Sequence, residues 1–320
     1  MRRPLLVTLP LAALAAVLLL AVRAGGAPPQ PLHYVPLTGA VAPAAPAAPA
    51  APAVPAATPR ATPPAPVAPV VSVHTLPVGG LTRQWEQLAP AGGAGPTTPI
   101  LVVLHGQAET AAQEVQRDAL TPLVATGRAE LVYPQGIGNS WNAGGCCGPA
   151  WGQRVDDLDF VRALVPQVDP GRARPVYLVG YSNGGRLAYT VACDDPTLVD
   201  GFAVVDAMPL SGCTLSRPVT ILQVDGTDDP AVPYQPGDPG GELPPATTQV
   251  ERLRVLDGCP AVPATVSAGN LTVDTWSGCV SRARLGFATY HGGTHRWPAG
   301  DATTPGAGPV IWQFLSAQPW

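Results

Sequence analysis

Ile100–Leu104 reads ILVVL and Val176–Val179 reads VYLV, runs that are apolar on both alternating faces. A strand with one wet face alternates, so these two must be covered on both sides, as in a parallel sheet between helical layers. Further strand candidates are Arg83–Leu88, Glu130–Tyr133, Phe202–Asp206, Val219–Val224 and Leu285–Tyr290. Helical stretches fall between them at Thr110–Ala125, Val155–Val165, Gly184–Cys193, Thr247–Leu256 and Gly308–Leu315. The alternation predicts a single α/β domain with a mainly parallel, doubly wound sheet. In such a sheet the residues just after the strands, at their carboxyl ends, are the candidates for chemistry.

This pattern is confined to residues 73–320. Residues 1–24 combine the basic start Met1-Arg2-Arg3, the apolar run Leu5–Val22 and small residues before Gly25. They read as a signal peptide, or as an anchor if uncleaved; both imply export. Residues 25–72 form a Pro/Ala-rich linker, expected to be disordered or extended because proline supplies no amide donor. At about 3.1 Å per residue the Val41–Val71 stretch can hold a domain roughly 100 Å from its start, as a spacer in a cell envelope. The expected location is therefore extracellular or envelope-associated.

Charge narrows the function classes. Only 12% of residues are charged and the net charge is −4, which gives nucleic acid no basic patch to bind. All 18 basic side chains are arginine. Without lysine there is no Walker A loop, no pyridoxal-phosphate Schiff base and no lysine general base. Six cysteines, Cys146, Cys147, Cys193, Cys213, Cys259 and Cys279, suit three disulfides in an exported domain. We expect Cys259 to pair with Cys279, and Cys146 and Cys147 to pair with Cys193 and Cys213 in an order left open. No C-x-x-C occurs and histidines are few, so no metal is expected.

Gly180-Tyr181-Ser182-Asn183-Gly184 follows a strand candidate and fits G-x-S-x-G, the turn that exposes a nucleophilic serine. With 35 glycines in 320 residues the motif alone is weak, and it gains weight from its partners. A serine hydroxyl needs a base and an acid that orients it, in the chain order Ser, acid, His. Of the five histidines, only His291 and His295 lie late enough. The Gly-Gly-Thr loop before His295 favours it, because it lets the chain turn back over the sheet. For the acid, Asp225, Asp228 and Asp229 crowd one turn after a strand, and residue type does not choose among them. Backbone amides of Gln107 and Asn183 are the expected oxyanion donors. His105 reads as structural, packed beneath its loop.

Five segments, VVLHG, WNAGGCCGPA…VDDLDF, GYSNGGRLAY, DGTDDPAVPY and GGTHRWP, carry a resemblance to a family. The chain resembles the secreted polyhydroxybutyrate depolymerase/feruloyl esterase group of α/β hydrolases, over about Arg83 to Phe314. That likeness implies a single α/β-hydrolase domain acting as a secreted serine carboxylic ester hydrolase, with Ser182, Asp229 and His295 as its catalytic triad. Asp229 is selected because the family's acid segment resembles H-G-T-x-D-x-x-V-P-Y, which puts Asp225 where the family usually has His. Thr294 departs from the family's G-G-G-H. No cofactor is expected. The expected partner is an ester substrate, either polymeric (a polyester or a plant cell-wall polysaccharide) or small and soluble, with no obligate protein partner. Trp141 and Trp297 are candidates for stacking the substrate or for packing loops. The alternatives are an envelope acyltransferase of the mycolyltransferase type and a degenerate binding protein.

Overall fold

The computed structural model describes residues 68–210 and 213–316. The expected signal segment and most of the Pro/Ala-rich segment lie outside the described residues. The first strand, β1 (Val70–Val78), begins three residues before the expected domain start, and a two-glycine turn returns it as β2 (Leu81–Ala89). Then come β3 (Ile100–Leu104), α1 (Ala111–Arg117), α2 (Thr121–Ala125), β4 (Glu130–Gln135), α3 (Gly148–Gly152), α4 (Asp157–Val168), β5 (Val176–Tyr181) and α5 (Asn183–Asp194). The rest is β6 (Gly201–Val205), β7 (Ile221–Gly226), α6 (Ala246–Leu256), β8 (Ala264–Ala268), β9 (Leu271–Trp276), β10 (Leu285–Tyr290) and α7 (Ala307–Leu315). Among the described residues no helix is long and apolar enough to cross a membrane.

The strands form one sheet in the order β1-β2-β4-β3-β5-β6-β7-β10-β9-β8. The six strands from β4 to β10 in that order run parallel, and antiparallel strands finish both edges. The architecture is the expected mainly parallel α/β fold. Its apolar runs divide by period two between two cores. Ile100, Val102 and Leu104 pack with Phe160, Leu164 and Leu187 from α4 and α5 on one face. Leu101 and Val103 pack with Leu123, Val310 and Ile311 from α2 and α7 on the other.

The strand order reverses between β3 and β5, since the chain leaves β3 for β4 and returns across it to β5. The loops after β3 and β5 therefore diverge and open a crevice at the carboxyl ends, where ligands bind in sheets of this kind. Two helices differ from expectation. The stretch Thr110–Ala125 breaks into α1 and α2 because Asp118 turns inward: it accepts from the Leu120 amide and the Tyr133 hydroxyl, and Ala119 adopts φ +57°. Helix α4 begins at Asp157, with the Asp156 side chain capping the Asp159 amide.

Candidate active site

Ser182 sits between β5 and α5 at φ +49°, ψ −113°, a conformation that non-glycine residues seldom adopt. Its neighbours make the tight turn possible. A Cβ on Gly180 would fall on the Gly184 carbonyl, and one on Gly184 would fall on the carbonyl oxygen of Leu104 in β3. Strand and helix approach this closely only with glycine at both positions. The Ser182 amide donates to Val205 O at 2.8 Å, and the Ser182 carbonyl accepts from Arg186 N at 3.0 Å to start α5.

The loop after β10 brings His295 to this serine. His295 Nε2 lies 2.9 Å from Ser182 Oγ, and Nδ1 lies 2.7 Å from Asp229 Oδ2. A carboxylate only accepts, so the ring proton belongs on Nδ1 and the Nε2 lone pair faces the serine hydroxyl. The other oxygen of Asp229 accepts from the amides of Ala231 and Val232, which fixes the carboxylate. The acid and base loops are also stitched together: Asp228 N donates to Gly293 O, and Gly292 N donates to Thr227 Oγ1. Of the other candidates, Asp228 is exposed and Asp225 is buried against Gln223. His291 is exposed and meets Thr272.

The two residues expected to supply oxyanion amides lie in the segments that follow β3 and β5. Asn183 is the first residue of α5, so its amide is among those at a helix start without an intrahelical acceptor. Gln107 is exposed between two engaged amides: Gly106 N donates to Glu109 Oε2 and Ala108 N to Asn139 O. His105 lies beneath, its Nδ1 donating to Gly106 O and its Nε2 accepting from Gly136 N. Burial holds its pKa below the ordinary value, and the ring is neutral.

No family model matches the chain. A protein named as an esterase, NocK of Nocardia uniformis subsp. tsuyamanensis, is 29% identical across 70% of this chain and 73% of its own length. Feruloyl esterase B of Piromyces equi is 26% identical across 71% of this chain, which spans only 43% of that relative. Among solved structures, the feruloyl esterase module from Clostridium thermocellum complexed with sinapinate shares the fold, with a TM-score of 0.51 and 15% identity. That match covers 72% of this chain and 83% of the module. The chain resembles the feruloyl esterase group of α/β hydrolases.

In this feruloyl esterase-like chain both tryptophans take the loop-packing alternative, and one expected cysteine pairing is overturned. Trp141 is fully buried, with its indole N–H donating to His105 O at 2.8 Å, and it offers no open face for stacking. Its backbone amide and carbonyl instead hold the Asn183 side chain in a reciprocal pair of hydrogen bonds at 2.7 and 2.9 Å. Trp297 is also buried, 5% exposed, and its ring meets Tyr181 edge-on. The cysteine pairing is the departure. Cys259 pairs with Cys279 as expected, but Cys193 pairs with Cys213 and the neighbours Cys146 and Cys147 pair with each other. The end of α5 and the segment after β6 bring Cys193 and Cys213 to a Cα separation of 5.5 Å, suited to a direct bridge. Their thiols are thereby used up, leaving Cys146 and Cys147 only one another.

Two site residues escaped the sequence reading. Tyr181 donates its hydroxyl to the His295 carbonyl at 3.0 Å, and Arg117 stands 4.3 Å over its ring. Asp206, just beyond the apolar run of β6, lies with Asp229 and His295. The sequence reading includes it as the last residue of the strand, which hides its place at the strand's carboxyl end. Asp206, Asp229 and His295 are also spaced as metal ligands would be, but both ring nitrogens of His295 already face Ser182 and Asp229.

Proposed function

We propose that this chain is an exported serine carboxylic ester hydrolase acting on feruloyl-type esters of plant cell-wall polysaccharide. The observation that carries the reading is the continuous hydrogen-bonded line from Ser182 Oγ through the His295 ring to Asp229. In the proposed reaction His295 Nε2 takes the Ser182 proton as Oγ attacks the ester carbonyl. Asp229 stabilises the imidazolium, and the amides of Gln107 and Asn183 hold the developing oxyanion. The C–O bond then breaks, the alcohol leaves with the proton from His295, and an acyl group remains on Ser182. Water, giving its proton to the same nitrogen, releases the acid and restores the serine.

The names of the relatives support the feruloyl assignment, and polyhydroxybutyrate is the competing polymer substrate. Export is supported by the basic and apolar start of the chain and by the pairing of all six cysteines. The test is turnover of methyl ferulate, acetylated xylan, polyhydroxybutyrate film and nitrophenyl acetate by wild type and Ser182→Ala. Ferulate release that Ser182→Ala abolishes is expected. Equal turnover by the two proteins would sink the serine mechanism, and polyester cleavage without ferulate release would sink the substrate class.

A further inference from the structure

One acidic side chain at the site has no part in that mechanism. Asp206 follows the last residue of β6, is 1% exposed and sits at φ +47°. Its amide donates to Val224 O at 2.9 Å, which fixes it beside β7. On the preceding residue, Val205 O accepts the Ser182 amide, so a single turn of backbone links Asp206 to the nucleophile. An oxygen of Asp206, an oxygen of Asp229 and a ring nitrogen of His295 lie within 4.8 Å of one another.

Neither carboxyl oxygen of Asp206 makes a well-formed hydrogen bond; the backbone amides of Gly226 and Arg296 are the polar groups that face it, and they oppose the rise in its pKa. The ionisable groups around it come from every side of the crevice: Asp225 and Asp229 from β7 and its loop, Tyr181 from β5, and His295 from the loop after β10. Arg117, over the Tyr181 ring, is the cation on that side. Burial first, with its acidic neighbours Asp225 and Asp229 adding to it, pushes Asp206 well above the usual carboxylate range.

We propose that Asp206 is a positioning residue for His295, a buried carboxyl beside the relay that takes over the orienting role at the ring when the Asp229 carboxylate is removed. The proposal rests on the Ser182–His295–Asp229 reading. Its physical basis is geometric: oxygens of Asp206 and Asp229 and a ring nitrogen of His295 lie within 4.8 Å of one another, so loss of the Asp229 carboxylate leaves Asp206 room to approach the ring.

A double-mutant cycle tests this, with kcat/KM for nitrophenyl acetate followed from pH 5 to 9 in Asp229→Ala, Asp206→Asn and the double variant. Removing a triad acid outright costs about 10⁴-fold. With Asp206 as a reserve, Asp229→Ala should lose only about 10²-fold, and adding Asp206→Asn should remove roughly another 10²-fold. Asp229→Ala should also show a rise in activity with pH that the double variant lacks. Equal activities and pH profiles for Asp229→Ala and the double variant would overturn the proposal. Should Asp206→Asn not fold, the far-downfield proton resonance of His295 Nδ1–H in Asp229→Ala decides: its persistence supports the reserve carboxylate, its loss refutes it. Ser182→Ala runs alongside, and if it stays active the relay itself is wrong, whatever the cycle gives.

Discussion

Gln223 Nε2 donates to Asp225 Oδ2 at 2.7 Å, with both side chains buried at the carboxyl end of β7. Tyr189 completes the row by donating to Gln223 Oε1 at 2.6 Å, while Asp225 Oδ1 has no partner. Burial raises the Asp225 pKa to about 8, Gln223 opposes the shift and the Asp229 charge adds to it. In the unfolded chain the same group titrates near 4. Below about pH 4 both states are protonated and the stabilisation is complete. As pH rises towards 8 the unfolded chain loses its proton while the folded one keeps it, so stability falls across that window and levels off above it. Glu114, also raised to about 8, acts in the same direction. Urea midpoints at pH 5 and pH 8 should show wild type losing on the order of a few kcal/mol more than Asp225→Asn. Equal losses would place the titration elsewhere.

The Asn183 clamp on Trp141 joins the start of α5 to the loop beneath the crevice. Asn183→Ala strips partners from a buried amide and a buried carbonyl, so about 2 kcal/mol of stability should be lost. If the Asn183 amide is an oxyanion donor, its displacement should lower kcat by about 10- to 100-fold with a smaller change in KM. Asn183→Asp keeps the acceptor for Trp141 N but turns the donor into a charge facing the Trp141 carbonyl. It should be the less stable of the two, and thermal melts would rank them.

Arg83 and Asp157 form a fully buried ion pair between β2 and the first turn of α4. The guanidinium lies 4.0 Å over the Phe160 ring, and the second oxygen of Asp157 accepts from the Asn142 amide. Burial outweighs the pull of Arg83, leaving the Asp157 pKa above its ordinary value, so the pair is expensive to hold as well as to break. Arg83→Met or Asp157→Leu alone should lose about 3–5 kcal/mol in denaturant titration, and the two together much less than the sum. An additive double variant would mean that the charges act independently.

What could be read in advance follows burial. Strands β3 and β10 match their expected limits because both of their faces enter the cores. Strands β1 and β8 were invisible, since their side chains alternate around partial or full exposure at the sheet edges and leave no apolar run. At the site, strand ends and chain order sufficed for Ser182 and for the loop of His295. Asp229 needed the family pattern, because three aspartates in one turn differ only in what buries them. Cysteine spacing could not show that Cys193 faces Cys213, and Asp206 looked like the last residue of its strand.

Gly184 packs against the carbonyl oxygen of Leu104, the last residue of β3, where a methyl group would have to occupy the oxygen's own volume. Neither partner can give way. Leu104 is held in the sheet opposite Gly180, and Gly184 lies in the first turn of α5, two residues after the strained Ser182. Gly184→Ala must therefore tilt α5 away from β3 and relax the turn at Ser182. The loss should be about 3 kcal/mol or more, at the severe end for a single methyl group. Because the tilt also carries Ser182 away from His295, any folded Gly184→Ala should lose activity out of proportion to its melting temperature. Gly92→Ala is the control, since it also adds one methyl group but in open space with nothing within 4 Å, and it should change neither. A Gly184→Ala protein with wild-type melting and turnover would show that the elbow does not need this close approach.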